Sequence, residues 1–203
     1  MRTKSEARRQ AIIDTARVVF SEQGFAATSM SAIAAKLGGS KATLYNYFSS
    51  KEELFVAIIQ QFAAAHLCEV YRLLDAKAPL RATLERFSAG FITVICSPDV
   101  TTTRVNMFLE RDKSDIGALF YERGPKQGLG IVAEYFQQCI DLGRLRPGNT
   151  FLMAQQLFAL LKAEGEELIL CGIRKSFTAE EIQAMMQRAV DVFLRAYGTG
   201  ADN

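Results

Sequence analysis

Apolar residues recur three and four positions apart along most of this chain, which is the spacing of one face of an α-helix. One such stripe starts at Ile12, and another runs through Leu84, Phe87, Phe91 and Ile95. No stretch alternates convincingly between apolar and polar residues in the way that a half-buried strand does. The pattern therefore predicts an all-α protein of about nine helices.

The first three predicted helices form one short module. The first covers about residues 5–23, and Thr28 or Ser29 caps the second. The second helix ends at the glycine pair that begins at Gly38, where a left-handed residue is needed, and Ser40 caps the third. Two helices joined by so tight a turn predict a helix-turn-helix, whose second helix enters the major groove of DNA.

Six longer helical patterns follow the module. They cover about residues 51–75, 80–95, 97–111, 114–142, 150–171 and 178–197. Gly124-Pro125 interrupts the fourth of these six, and proline removes a backbone hydrogen bond, so a kink or two shorter helices are expected there. We predict a DNA-binding domain over residues 1–50 and an effector-binding and dimerisation domain over residues 51–203.

Charge is distributed unevenly along the 203 residues. Residues 1–51 hold eight basic and three acidic side chains, a net charge of +5, whereas the whole chain carries only +2. The remaining residues therefore carry about −3. A basic N-terminal module on a mildly acidic body is typical of a module that faces phosphates.

Several other classes of protein are disfavoured by the sequence. No apolar run approaches the ~20 residues that span a membrane, and the basic N-terminus lacks the apolar core of a signal peptide. The four cysteines are widely spaced and His66 is the one histidine, so neither a zinc site nor a disulfide framework is indicated. We expect a cytoplasmic protein with no metal, no cofactor and no membrane partner.

The third predicted helix carries the chemistry of the module. It displays hydrogen-bonding side chains and hardly any acid, namely Ser40, Lys41, Thr43, Tyr45 and Asn46. Ala42 is small enough to let the helix approach the groove floor, and Leu44 is predicted to be core. Because many helical hairpins never touch DNA, this polar surface is what predicts binding to double-stranded DNA.

The N-terminal run also matches a known pattern. From Arg8 to Leu54 it contains A-I-I-D-T-A, F-S-E-Q-G-F-A-A-T-S-M, I-A-A-K-L-G, S-K-A-T-L-Y-N-Y-F and S-K-E-E-L. This run resembles the DNA-binding domain of the TetR family of bacterial repressors. It departs from that family at Gly39, where an apolar residue is more usual.

The resemblance gives individual residues a role. Tyr45, Tyr47 and Lys51 match family positions that contact phosphates. In such a domain Thr28 and Ser29, at the start of a helix, would present hydroxyl and backbone N–H groups to a phosphate. Asn46 is ambiguous between reading bases and simple solvation, and the ring of Tyr47 could be core while its hydroxyl reaches a phosphate.

The body shows a looser likeness. F-Y-E-R-G-P, G-R-L-R-P and V-D-V-F-L-R-A-Y-G resemble the C-terminal domain of AefR-like TetR repressors. That likeness implies a helical body with an effector pocket, in which the last two long helices form a four-helix bundle across a homodimer. The apolar residues expected at this interface are Leu157, Leu160, Leu161, Leu168, Met185, Ala189, Val192 and Phe193.

A pocket for a small effector would need apolar walls and a few polar groups. The candidates are Phe62, His66, Phe87, Phe91, Arg104, Met107, Phe108, Arg111 and Phe158. Each aromatic residue in this set serves equally well as ordinary core, and each charged residue as solvated surface or an intersubunit pair.

These observations predict a homodimeric repressor on a palindromic operator, released by a small lipophilic or aromatic effector. The resemblance suggests control of efflux or detoxification genes. One alternative is a DNA-binding regulator triggered by oxidation of a cysteine, for which Cys171 near Arg174 and Lys175 is the candidate. Another is a small-molecule carrier or an enzyme, although no catalytic set can be written; G-P-K-Q-G-L-G lacks the strand and the G-K-[ST] ending of a phosphate loop.

Overall fold

The computed structural model describes residues 5–98, 100–102, 104–105 and 116–200, with all side chains except those of residues 62–66 and 116. Ten helices begin and end within these residues. They are α1 (Glu6–Ala27), α2 (Met30–Leu37), α3 (Lys41–Tyr45), α4 (Lys51–Arg72), α5 (Leu80–Ile95), α6 (Ile116–Arg123), α7 (Pro125–Asp141), α8 (Thr150–Lys162), α9 (Glu166–Leu170) and α10 (Ala179–Tyr197). The prediction of an all-α protein is confirmed, and the described residues form no strand beyond one isolated bridge between Leu145 and Gly198.

Two of the predicted helical patterns are divided in the structure. The pattern over residues 114–142 breaks at Gly124 into α6 and α7, one of the two outcomes expected there. The predicted single helix over residues 150–171 is wrong, because the chain breaks between α8 and α9. Gly165 lies in that break, and a Cβ there would be 3.1 Å from Cε2 of Phe177. The predicted helix over residues 97–111 lies mostly outside the described residues.

Helix packing divides the chain into two compact units. The first contains the residues up to Ala63 together with α6, and the second contains the rest of α4 with α5 and α7 to α10. The residues Lys51 to Ala63 thus pack with the N-terminal module, whereas the predicted domain boundary lies at residue 50. The functional division into two domains stays a prediction. Within the described part of the chain, no helix is both long and apolar enough to cross a membrane.

The first unit is built around an aromatic core. Gly24 interrupts α1 with φ 76° and ψ 164°, which L-residues other than glycine rarely adopt, so the chain turns there. This turn packs Phe25 against the core, where its ring centroid lies 5.5 Å from that of Phe20 and 4.9 Å from that of Phe55 of α4. Leu119 and Phe120 of α6 pack against the same core.

The second unit has a larger core. Within it α7 packs on α8, and α10 packs on both α5 and α8. A row of stacked rings joins α7 to α10, with the centroids of Phe136 and Phe193 5.0 Å apart. Arg81 of α5 also pairs with Asp191 of α10 at 2.7 Å.

Most of the predicted dimer residues belong to this core. Five of them are at most 6% exposed within the single chain, namely Leu157, Leu161, Met185, Ala189 and Phe193. Leu160 and Leu168 are half-buried, and Val192 alone of the eight is exposed, at 48%. Helix α10 packs on two helices of its own chain, α5 and α8, and so buries a wide face within the protomer.

The segment G-R-L-R-P fastens three parts of the second unit together. Gly143 ends α7 with φ 71°, and Leu145 is buried. The Nη1 of Arg144 donates to the carbonyls of Ala76 and Ala78 at 2.8 and 2.5 Å, which fixes the turn between α4 and α5. The backbone N–H groups of residues 146 and 199 donate to the carbonyls of residues 197 and 144, which fixes the C-terminal end of α10.

Arg144→Ala should therefore lower the free energy of unfolding by about 2 kcal/mol, because hydrogen bonds from a charged donor are worth about 1.5–3 kcal/mol. Arg144→Lys should recover only part of this loss, since an ammonium group lacks the planar fork that serves neighbouring carbonyls. Urea unfolding monitored by circular dichroism measures the change. Arg195→Ala, an exposed position on α10, is the control, and an equal loss there would contradict the assignment.

Candidate nucleic-acid interface

Three small residues shape the helix-turn-helix. Ser29 caps α2 by accepting a hydrogen bond from the N–H of Ala32 at 3.1 Å, and Ser40 caps α3 by accepting one from the N–H of Thr43 at 3.1 Å. Between them Gly38 is left-handed, with φ 68° and ψ 32°. The predicted caps and the left-handed glycine are confirmed.

The short helix α3 divides cleanly into a core side and a solvent side. Leu44 is 0% exposed and belongs to the core of the first unit, as predicted. On the solvent side Ser40, Lys41, Ala42, Tyr45 and Asn46 are all exposed. Five of the predicted DNA contacts are therefore brought together on one accessible surface, which we call the reading face.

Several other predicted contacts already have partners within the chain. The hydroxyl of Thr28 donates to the carbonyl of Gly24 at 2.7 Å, and Thr28 is only 3% exposed, so that hydroxyl does not face a phosphate in this conformation. The hydroxyls of Thr43 and Ser40 lie 2.9 Å apart. The hydroxyl of Tyr47 accepts a hydrogen bond from the N–H of Ser5 at 3.1 Å, and its ring is half-buried.

The two predicted lysine contacts differ in their surroundings. Lys51 donates to the carbonyl of Phe25 at 2.9 Å, and its Nζ lies 4.2 Å from the centroid of the Phe25 ring. It therefore helps to hold the end of α1. Lys41 lies over the ring of Tyr45, with Nζ 5.7 Å from the centroid, and stays on the reading face.

Two acidic residues of this unit pair with basic residues other than Lys41. Glu22 pairs with Lys36 at 2.6 Å, and Asp14 approaches Arg17 at 4.0 Å. No acidic residue occurs between Glu22 and Glu52, the stretch that contains α2 and α3. An exposed surface with a lysine, a tyrosine, an asparagine and no acid can contact both phosphates and base edges.

The predicted effector residues fall into three groups. Met107, Phe108 and Arg111 lie outside the described residues, as do the side chains of Phe62 and His66; Arg104 is half-buried. The structure brings together the other three, whose rings stack in the core of the second unit. Phe91 and Phe158 are 4.5 Å apart with an interplanar angle of 9°, and Phe87 lies 6.0 Å from Phe91.

The same unit contains buried hydroxyl groups that the sequence pattern did not indicate as functional. Thr83 and Ser88 of α5 and Tyr135 of α7 are at most 4% exposed, and their hydroxyls have no hydrogen-bond partner among the described residues. Cys139 and Thr83 lie near the phenol of Tyr135, and burial raises the pKa of this phenol well above its ordinary value. Thr83 and Tyr135 each sit in an apolar helical stripe, where polarity alone gave no signal.

Tyr71 is a further phenol, and its ring lies near that of Phe87, one of the three stacked phenylalanines. Its ring centroid lies 5.8 Å from that of Phe87, and burial raises its pKa to about 12. Its hydroxyl lies against Gly128 of α7, in a space that a Cβ would fill. Gly128, the second glycine of G-P-K-Q-G-L-G, thus leaves room for the Tyr71 hydroxyl. The segment from Pro125 onwards is part of helix α7 and is no phosphate loop.

Glu164 lies at a shallow groove in the second unit. The groove has a volume of about 230 Å³ and is lined by Glu164, Phe177, Glu181, Ala184, Met185 and Arg188. Glu164 is held by Arg188, whose Nε donates to it at 2.8 Å and which keeps the pKa of the carboxyl below its usual range. Its charge is thus already matched.

The four cysteines divide by exposure. Cys96 and Cys139 are buried, whereas Cys68 and Cys171 are exposed. Arg174, which suggested an activated thiol at Cys171, instead pairs with Glu181 at 2.8 Å and stacks on Phe177. Among the described residues no three metal-binding side chains gather at one point.

Comparison with protein families identifies the chain. Residues 12–58 match the model of the bacterial regulatory proteins of the tetR family. Residues 82–199, more than half of the chain, match the C-terminal domain of AefR-like transcriptional repressors. The protein belongs to the TetR family. It is a DNA-binding transcriptional regulator rather than an enzyme.

Relatives of this TetR-family regulator match either its N-terminal part or its whole fold. The transcriptional regulator UidR of Escherichia coli is 46% identical over 61 residues, which are 30% of this chain and 31% of UidR. The chain thus spans about a third of the length of the curated relatives that it matches first. A crystal structure of a TetR-family regulator from Mesorhizobium loti covers 98% of this chain and 100% of its own, with a TM-score of 0.82 and 26% identity.

A second solved structure carries a functional name. The flavonoid-responsive regulator FrrA is 29% identical to this TetR-family protein, with a TM-score of 0.80 over 97% of this chain and 100% of FrrA. The likeness extends through both units, so the family assignment holds for the body as well as for the helix-turn-helix.

Proposed function

We propose that this regulator represses transcription in the cytoplasm as a homodimer on a palindromic operator, and that a small aromatic effector releases it. The DNA-binding part of this proposal rests on the reading face of α3. Its five exposed side chains include no acidic residue, and they lie around the buried Leu44. One reading face offers few base contacts, so recognition of a specific DNA sequence requires two such faces. Helix-turn-helix dimers present their reading helices about 34–36 Å apart, or a multiple of that distance.

The test of this half is an electrophoretic mobility shift with DNA from upstream of the gene itself and with a scrambled duplex of equal length. A selective shift that weakens as salt rises is expected, because phosphate contacts release counterions. Equal shifts on both duplexes would contradict an operator upstream of the gene. No shift at low salt would contradict DNA recognition by the reading face.

Dimerisation is supported by the apolar side chains that the second unit leaves exposed on its long helices. Val192 of α10 is 48% exposed and Leu152 of α8 is 47% exposed, with Leu160 half-buried on α8. We propose that these residues, together with Leu168, meet their counterparts in a second copy. Light scattering should find a dimer at micromolar concentration, and a monomer would contradict the proposal.

The effector half of the proposal is supported by the stacked rings of the second unit and by the unpartnered buried hydroxyls of the same unit. Flat aromatic molecules stack on such rings, and an unpaired buried hydroxyl gains a hydrogen bond when a polar ligand arrives. FrrA, the 29% identical neighbour, is named as flavonoid-responsive. We therefore propose a hydroxylated aromatic effector and efflux or detoxification genes as targets.

The mechanism is a shift between two conformations. An effector can change DNA affinity only through its different affinities for the conformation that binds the operator and the one that does not. A flavonoid added to the protein–operator complex should release the DNA. Failure of flavonoids and of simpler phenols to do so would contradict this class of effector.

The substitution Tyr135→Phe distinguishes a role of this phenol in effector binding from a role in stability. Removing a buried hydroxyl that lacks a partner should leave the free energy of unfolding unchanged or raise it by about 1 kcal/mol. The same change should weaken flavonoid-induced release, because the ligand loses a hydrogen-bond partner. Thermal unfolding and operator release measure the two effects. A destabilised variant with unchanged release would contradict the role of this phenol.

A further inference from the structure

Arg8 lies at the turn between α2 and α3. It sits in the first turn of α1, and its Nη2 is 2.9 Å from the point that a Cβ of residue 39 would occupy. The residue there is Gly39, directly before the cap residue Ser40. The guanidinium group therefore lies beside the reading face, in a space that exists because residue 39 has no side chain.

The backbone does not explain this glycine. Gly38 has a positive φ, whereas Gly39 does not, so alanine could adopt the conformation of residue 39. The contacts that an added Cβ would make are with Nη2 of Arg8 and, at 3.8 Å, with Leu37. An alanine at position 39 would therefore make the end of the Arg8 side chain move.

The guanidinium is also uncommitted within the described part of the chain. No carboxylate there pairs with Arg8, and no acceptor there takes a hydrogen bond from its side chain. Its neighbours on α1 differ, since Arg9 pairs with Glu6 at 3.7 Å and lies over the ring of Phe48, and Arg17 approaches Asp14. A guanidinium carries five N–H donors in a planar fork that fits a phosphate.

We infer that Arg8 is a further DNA-contacting residue, which binds a backbone phosphate beside the reading face, and that Gly39 is the residue that makes room for it. The inference rests on the proposed DNA recognition by α3. A phosphate contact fixes the position and orientation of a protein on the duplex without reading sequence. Arg8 thus anchors the protein at the N-terminal end of α3, beside the side chains of the reading face.

The test compares Arg8→Ala, Arg8→Lys and Arg17→Ala. Fluorescence anisotropy with the labelled upstream duplex and its scrambled version gives the affinity between about 50 and 200 mM salt. Loss of one phosphate contact should make the slope of log affinity against log salt shallower by about 0.9 for each DNA-binding module. Arg8→Ala should show this change on both duplexes, Arg8→Lys should retain most of the slope, and Arg17→Ala should match the wild type.

Gly39→Ala tests the second part of the inference. The added Cβ should displace the guanidinium, so the affinity should fall towards that of Arg8→Ala. The double variant Arg8→Ala/Gly39→Ala should bind like Arg8→Ala alone, because the glycine acts through the arginine. Circular dichroism checks that each variant remains folded.

The outcomes separate this inference from the proposed function. If the wild type binds with salt dependence but Arg8→Ala has the slope of Arg17→Ala, the inference fails and DNA binding stands. If the losses of the two single variants add in the double variant, the role of Gly39 fails. If the wild type shows no salt-dependent binding, the proposed function and this inference fail together.

Discussion

Replacing Leu44 with alanine is expected to lower the free energy of unfolding of the first unit by about 2–5 kcal/mol, the range for a large core residue cut back to alanine. The reason is the brevity of α3, which spans only Lys41 to Tyr45 and has Leu44 as its one fully buried side chain. A helix of five residues is not stable without tertiary packing. The reading face should therefore lose its fixed position, and operator binding should be lost as well.

Tyr45→Ala is the matched control, because it changes the next residue and removes a larger side chain. Tyr45 is 46% exposed, so the stability should change by less than about 0.5 kcal/mol while DNA affinity falls. Urea unfolding and mobility shifts on both variants measure the contrast. A Leu44→Ala protein as stable as Tyr45→Ala would show that α3 is held by other means.

Phe193→Ala is expected to cost about 3–5 kcal/mol, since the side chain is 0% exposed in the core of the second unit. Its ring stacks on Phe136 and lies 5.0 Å from that of Tyr197, so its loss leaves a cavity between α7 and α10. The sequence pattern assigned this residue to the dimer interface. The structure instead predicts that a single protomer loses stability, which denaturation at several protein concentrations can establish.

Val192→Glu gives the opposite result if the proposed dimer is correct. The side chain lies next to Phe193 in sequence but points to solvent, so a carboxylate there costs the protomer little. A charge at the centre of an apolar interface is expensive to bury, and light scattering should find a monomer at micromolar concentration. A dimer that survives Val192→Glu would place the interface away from this part of α10.

Local signals in the sequence predicted the backbone well. Helix α5 has the predicted bounds, Gly38 is left-handed, and α10 begins directly after Thr178, where the last helical pattern was predicted to start. These features depend on a few neighbouring residues, so a local pattern contains all the information that fixes them. The break at Gly165 was missed, and the residue that lies closest to the place of a Cβ there, Phe177, is twelve positions away in the sequence.

The candidate site was predicted less evenly, for a related reason. Residue type identified Lys41, Tyr45 and Asn46 correctly as exposed polar side chains of α3. It could not show that the hydroxyl of Thr28 turns back to its own helix, or that Lys51 donates to Phe25. Contacts of this kind depend on which elements meet in the folded chain. The contact between Arg8 and the glycine turn was hidden for the same reason.

The separation of the two sides of α3 bears on how the protein can diverge. Lys41, Ala42, Tyr45 and Asn46 contribute little to the core, and Leu44 contributes nothing to the accessible surface. Descendants of a duplicated gene could thus exchange the exposed residues and acquire a new target sequence without first gaining stability elsewhere. Selection for a new operator and selection for a folded helix act here on different positions.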